Sequence, residues 1–161
     1  MNRKFMTQEE KQILLQDLSA RLPYGVKISK ANVIYPMTGI NIALGYVELA
    51  VSERVLIEDA RPYLRPLSSL TYEEIEELDE MAFGCSSTGS FRHYVHLSPN
   101  FIGFLATKKF DKETCSDDVR GIDLKDVLPY IVWLNAHHID YCGLIEKGLA
   151  LEAPEGMYNF K

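Results

Sequence analysis

The sequence predicts an α+β domain with an N-terminal helix, an antiparallel β-meander of four to five short strands, and then helices with a β-hairpin insertion. Apolar residues recur at helical spacing after Thr7 and after Thr71, whereas residues 26–57 consist of short β-branched runs separated by proline and glycine. A length of 161 residues and a hydrophobic fraction of 47% are ordinary for one globular domain, which we expect to span residues 1–161.

The first helix is indicated by a capping box at its start. Thr7 and Glu10 have the spacing at which each side chain caps the backbone N–H of the other residue. Pro23 and Gly25 disfavour helix, so we expect this helix to end near Arg21. The apolar residues at helical spacing, which should face a sheet, are Ile13, Leu14, Leu18 and Leu22.

The meander is predicted from five short runs, VKIS, NVIY, NIAL, VELAV and RVLI, which are separated by Pro36, Thr38-Gly39 and Gly45. An open meander and a sheet curled into a small SH3-like barrel would produce the same pattern, and both remain alternatives.

A proline-containing connector follows, with the sequence ARPYLRPLSSLT. Pro62 and Pro66 disfavour helix at the residues before them, so we expect this segment to be extended. It divides the chain into two candidate sub-units, residues 1–65 with the helix and meander and residues 66–161 with the acidic helical part and the hairpin.

The second sub-unit is predicted to begin with another capped helix. Thr71 and Glu74 form a second capping box, and the helix should run from Tyr72 to Ala82 with six acidic residues on its solvent face. FRHYVHL and FIGFLAT then read as two strands of a hairpin that turns at Ser98-Pro99-Asn100.

The last helix is expected to begin at Asp126, with Pro129 in its first turn and Trp133 in the core. Asp140 should then cap a short helix that Gly148 ends, by accepting a hydrogen bond from a backbone N–H two or three residues later.

Charge is unevenly distributed along the chain, which has a net charge of −6. Residues 1–65 carry nine Lys/Arg against seven Asp/Glu, and residues 66–161 carry eight against sixteen. An acidic protein repels a phosphate backbone, so nucleic-acid binding is disfavoured, and the slightly basic N-terminal meander is its remaining candidate site. No stretch resembles a membrane span or a secretory signal, and the three cysteines form no CxxC pair, so we expect a cytoplasmic protein without membrane contact.

The histidines offer an interpretation as an enzyme. His137 and His138 are adjacent, so on a helix they point in different directions and cannot both bind one metal from the same turn. Both should lie at a helix C-terminus, where the macrodipole favours imidazolium, and a structural role is the preferred interpretation. The alternative is a metal-dependent enzyme that combines these histidines with Asp140 and a strand histidine, His93.

No sequence motif predicts a catalytic residue, a metal or a cofactor. The loop around Cys85 lacks the lysine of a phosphate-binding loop, and no GxSxG nucleophile motif is present. The combination best suited to an acidic partner or nucleic acid is the basic cluster Arg54, Arg61 and Arg65 with Tyr63 among them, and Arg61, Tyr63 and Arg65 are its predicted partner-binding residues. The alternative is that these arginines pair with the acidic helix across the connector.

Two segments, RPYLRPLSSLTYEE and WLNAHHIDYCGLIEKGLALEAPEGMYN, carry a family resemblance. They are similar to segments of a family of small, uncharacterised proteins of gut Bacteroidales genomes and their phages or mobile elements, in which KPYLRPMSSMTEEE and WLNAHHFDYRGLIEKGLALEAPEGMY are expected. Cys142 stands where that family is expected to have arginine. The resemblance implies no activity, but it favours a non-enzymatic accessory or protein-interaction domain whose protein partner is unknown.

Overall fold

The computed structural model describes residues 6–83 and 124–158. The chain divides into two compact units, the first formed by residues 1–65 and 135–161 and the second by residues 66–134. The assignment of all residues to one domain stays a prediction.

The first unit begins with helix α1, Gln8–Arg21, and its predicted capping box is confirmed. The Glu10 N–H donates to Thr7 Oγ1 at 3.1 Å, and the Thr7 N–H donates to Glu10 Oε2 at 2.7 Å. The helix ends at Arg21, as predicted. Its core-facing side differs from the predicted apolar stripe, because Leu14 and Leu18 share that side with the charged residues Asp17 and Arg21.

A six-stranded mixed sheet follows, with the strand order β4-β3-β2-β1-β5-β6. Strands β1 to β4 form the predicted antiparallel meander, β5 pairs antiparallel with β1, and β6 pairs parallel with β5. The α+β class is therefore confirmed. The strands are β1 Lys27–Lys30, β2 Val33–Asn41, β3 Tyr46–Leu49, β4 Arg54–Leu56, β5 Arg61–Leu64 and β6 Leu151–Glu152.

One strand assignment from the sequence was wrong, and one strand was missed. NIAL is not a strand: Asn41 ends β2, and Ile42–Leu44 form a turn that is stabilised by the Gly45 N–H donating to Asn41 O at 2.9 Å. The predicted connector contains β5, which lies inside the sheet between β1 and β6. A proline in such a strand is tolerated where its nitrogen faces no ladder acceptor.

The core of the first unit lies between α1, the sheet and the segment that follows residue 140. Ile28, Val47 and Leu64 are completely buried and come from three different strands. This core is formed by Leu14, Leu18, Val26, Ile28, Met37, Val47, Leu49, Ile57, Ala60, Leu64, Leu144, Leu149 and Ala150.

The second unit contains helices α2, Tyr72–Phe83, and α3, Leu124–Ala136, of which α3 continues into the first unit. The capping box of α2 is confirmed, with Thr71 N donating to Glu74 Oε2 at 2.9 Å. Helix α3 begins two residues before the predicted start, so Pro129 lies inside it instead of in its first turn. Trp133 is buried, as predicted.

The predicted hairpin lies outside the described residues, as do Cys85 and His93. None of the helices in the described ranges has the length and apolar character needed to cross a bilayer.

Candidate functional site

The three residues predicted to bind a partner lie on one side of the sheet. Along β5, Pro62 and Leu64 are buried, whereas Arg61 and Tyr63 are half-buried and point to the opposite side. The same alternation places Arg65 on that side, and Arg65 continues the strand as a bridge to Ile139.

The backbone beneath these side chains is held by hydrogen bonds. The Arg65 N–H donates to His138 O at 2.8 Å, and the Asp140 N–H donates to Arg65 O at 2.7 Å. The Arg61 guanidinium donates through Nη1 to the backbone oxygens of Glu58 and Ala60, at 2.9 and 2.8 Å. This end of β5 is therefore a fixed platform for its outward side chains.

Lys27 of β1 adds a third cation to the same side. The register pairs Ile28 with Pro62, so Lys27 lies opposite Tyr63. We call the side chains of Lys27, Arg61, Tyr63 and Arg65 the basic face. Lys27 could not be placed on this face from the sequence, because its position depends on strand register.

A C-terminal strap, residues 151–158, runs along this region and ends in Tyr158. The Tyr158 hydroxyl accepts the Lys27 N–H at 3.0 Å and donates to Tyr63 O at 2.9 Å. The Lys27 ammonium donates to Met157 O at 2.6 Å and lies 5.2 Å from the centre of the Tyr158 ring. Burial raises the pKa of Tyr158 to about 12, so its hydroxyl keeps its proton at neutral pH.

The core-facing side of α1 carries a buried ion pair. Arg21 donates through Nε to Asp17 Oδ2 and through Nη2 to Asp17 Oδ1, both at 2.8 Å, and its side chain is 0% exposed. Nη2 also donates to Ile139 O at 2.8 Å, and the guanidinium lies 5.4 Å from the centre of the Tyr141 ring. Burial raises the pKa of Asp17, although the Arg21 charge opposes this change. The pair attaches α1 to the C-terminal segment.

Asp140 fixes a turn instead of a helix. Its two carboxylate oxygens accept the N–H groups of Leu144 and Ile145, both at 2.8 Å, four and five residues later and not two or three. The predicted short helix is absent from residues 141–150, which form turns with Gly148 in the left-handed conformation at φ 71°. The hydrogen bonds from these two N–H groups to the Asp140 carboxylate stabilise this turn, where the cap of a helix was expected.

His138 also has a structural role, but not as an imidazolium at a helix C-terminus, which was the expectation. Helix α3 ends at Ala136, and His138 adopts a left-handed φ of 55°. Its ring stacks on Tyr158 with a centroid distance of 4.0 Å. Burial, reinforced by the Arg21 charge, lowers the pKa of His138 to about 3, so the expected imidazolium does not form at neutral pH.

Of the alternative metal site, the described residues His137, His138 and Asp140 are not brought together with a third ligand. Within residues 6–83 and 124–158, no group of three or more His, Cys, Asp and Glu side chains could hold a metal ion. His138 is buried, His137 is half-buried, and both oxygens of Asp140 accept backbone N–H groups. His93 lies outside the described residues.

An open pocket beside the β3–β4 turn is a second surface feature. It is lined by Thr38 and by residues 48–54, and its Glu53 pairs with Lys30. Val51, at the tip of the turn, is 79% exposed and has a left-handed φ of 62°. A β-branched side chain disfavours that conformation, so this turn is strained.

No family model, curated protein or solved structure matches this chain. Function is therefore inferred from the basic face.

Proposed function

We propose that this chain is a non-enzymatic, cytoplasmic accessory domain of a phage or mobile element, and that it binds an acidic segment of a partner protein through the basic face. The observation that carries the proposal is the placement of three cations and Tyr63 on one side of two paired strands whose backbone is fixed. Such a surface offers fixed cationic and aromatic contacts without the entropic cost of ordering a loop.

Two cations of the basic face, Lys27 and Arg61, retain charge that a partner can neutralise. Lys27 and Arg61 donate to backbone carbonyls, which carry no net charge, and neither forms an ion pair with another described residue. Charge complementarity of this kind raises association rates and selects acidic partners.

An apolar border adds a second requirement on the partner. Across the β1–β2 ladder, Lys27 pairs with Pro36 and Ser29 pairs with Ile34. Pro36 and Ile34 are exposed and lie on the side of the sheet that carries the basic face. A segment that alternates carboxylates with aliphatic side chains would match both features.

The buried polar groups support a binding role more than catalysis. Asp17 and His138, whose pKa values are shifted, are 5% and 2% exposed and already have partners within the fold. Groups that are enclosed in this way stabilise the fold and do not meet a substrate. The net charge of −6 disfavours the dense negative charge of a nucleic-acid backbone more than it disfavours a short acidic segment.

The test uses a short fluorescein-labelled peptide that alternates glutamate with leucine, with anisotropy as the measurement. We expect the wild type to bind it, and the Arg61→Gln/Arg65→Gln variant to bind about tenfold more weakly, as the loss of about 1.4 kcal/mol implies. Arg54→Gln is the matched control, because Arg54 is exposed on the distant edge strand β4 and stacks on Tyr46.

Several outcomes would reject the proposal. Equal binding of a peptide with glutamine in place of glutamate would show that charge is not recognised. Equal weakening by Arg54→Gln would show that the basic face has no special role. Tighter binding of single-stranded DNA, with an affinity that falls steeply as salt is added, would instead establish nucleic-acid binding.

A further inference from the structure

We propose that Tyr158 is a positioning residue for the basic face, holding Lys27 where an acidic partner can meet it together with Arg61 and Arg65. This inference rests on the function proposed above. It assigns a binding role to the C-terminal strap.

The Tyr158 hydroxyl takes the place of a direct bond between two strands. Strands β1 and β5 pair at Ser29–Arg61 and Ile28–Pro62, so the next position in the ladder brings Lys27 opposite Tyr63. There, the hydroxyl oxygen lies between the Lys27 N–H and the Tyr63 carbonyl, at 3.0 and 2.9 Å. Two hydrogen bonds in series hold the strands farther apart than one bond would.

Three contacts join Lys27 to the strap. Its N–H binds the Tyr158 hydroxyl, its ammonium donates to Met157 O, and the same ammonium lies over the Tyr158 ring. Lys27 is half-buried and lies on the outward side of the sheet, opposite Tyr63. The position of this cation therefore depends on the strap.

The strap is in turn fixed by the interior of the first unit. The Tyr158 ring stacks on His138 with an interplanar angle of 29°, and the His138 carbonyl accepts the Arg65 N–H. Lys27 and Arg65, at two places on the basic face, are thus linked through the residues Tyr158 and His138. A change at Tyr158 should alter the relative positions of these two cations.

The test is Tyr158→Phe, which keeps the ring and removes both hydroxyl bonds. We expect the variant to bind the glutamate–leucine peptide about five- to tenfold more weakly, the range that loss of one well-placed charge contact produces. Tyr141→Phe is the matched control, because it removes a bond of 2.9 Å to Asn135 Oδ1 in another part of the unit and should change affinity less than twofold.

A double-mutant cycle separates positioning from a general loss of stability. If Tyr158 acts through Lys27, then Lys27→Gln/Tyr158→Phe should bind no more weakly than Lys27→Gln alone. Additive losses would overturn the inference, as would a Tyr158→Phe variant with wild-type affinity or a Tyr141→Phe variant weakened to the same extent.

The proposed function and this inference fail in different ways. A wild type that binds no acidic peptide overturns both, whereas a wild type that binds through Arg61 and Arg65 without any effect at Tyr158 overturns only the inference. Should Tyr158→Phe not fold, Lys27→Gln is compared with Lys30→Gln, whose cation pairs with Glu53. Equal affinity of these two lysine variants then overturns the inference.

Discussion

Replacing His138 with glutamine should change how stability depends on pH. Burial, with the Arg21 charge as the second cause, lowers the pKa of His138 from 6.5 to about 3. Because the unfolded imidazole titrates near its ordinary value, acidification adds a proton to the unfolded chain before the folded one accepts it. The contribution of His138 to stability is therefore complete above a pH of about 6.5 and falls as the pH decreases toward about 3.

The expected magnitude follows from the depth of burial. His138 is 2% exposed, so solvent screens its environment little. Between about pH 7.5 and about pH 5, a group with this shift should remove about 2 kcal/mol from the free energy of unfolding. Urea unfolding followed by circular dichroism at several pH values measures this fall in the wild type, and His138→Gln should show a smaller fall by that amount.

The adjacent histidine provides the control. His137→Gln leaves His138 in place, so the fall seen in the wild type must persist in that variant. If His138→Gln and the wild type lose the same free energy over this pH range, then the folded protein protonates His138 readily, and the reasoning from burial is wrong.

Two further experiments test the fold. Asp17→Ala leaves the buried Arg21 charge without its carboxylate, so the free energy of unfolding measured with urea should fall by about 3–5 kcal/mol. The double variant Asp17→Leu/Arg21→Met, which removes both charges, should recover most of this free energy. A fall below about 1 kcal/mol for Asp17→Ala would contradict the description of a buried ion pair. Val51→Asn should raise the melting temperature, because asparagine tolerates the left-handed conformation that costs valine about 1–2 kcal/mol. A lower melting temperature would show that Val51 makes contacts that outweigh its backbone strain.

Features determined by near neighbours could be predicted from the sequence. The capping boxes at Thr7 and Thr71 involve residues three positions apart, so their spacing is sufficient to identify them. The common side of Arg61, Tyr63 and Arg65 follows from strand alternation alone. Alternation holds even though the segment was taken for a connector.

Strand β5 was missed because Pro62 suggests a break in a ladder. In an antiparallel pair, successive residues direct their N–H groups alternately toward and away from the partner strand. At the Lys27–Tyr63 position the backbone groups of the two strands point toward each other, with the Tyr158 hydroxyl between them. The nitrogen of the preceding residue, Pro62, therefore points away from β1. The missing N–H of Pro62 therefore removes no hydrogen bond to β1. The sequence pattern cannot show this, because it depends on the strand register.

Only some of the polar contacts of the first unit could have been predicted from the sequence. Asp17 and Arg21 are spaced as i and i+4 and lie at positions that continue the helical spacing of Leu14 and Leu18, so a buried ion pair could have been predicted. The contact of Lys27 with Tyr158 could not, because 131 residues separate them and neither has a distinctive neighbour pattern.

The division of the first unit into two chain segments has a consequence for protein synthesis. Arg21 and the carbonyl that it binds, on Ile139, are 118 residues apart. At about 5–20 residues per second, a ribosome needs roughly 6–24 s to add that length of chain. Throughout this interval Arg21 lacks its carbonyl acceptor, and once residue 64 has been added β5 has no β6 beside it. In this state the nascent chain presents the unpaired edge of β5. Another nascent chain on the same messenger RNA can pair a strand with that edge before the strap has been synthesised.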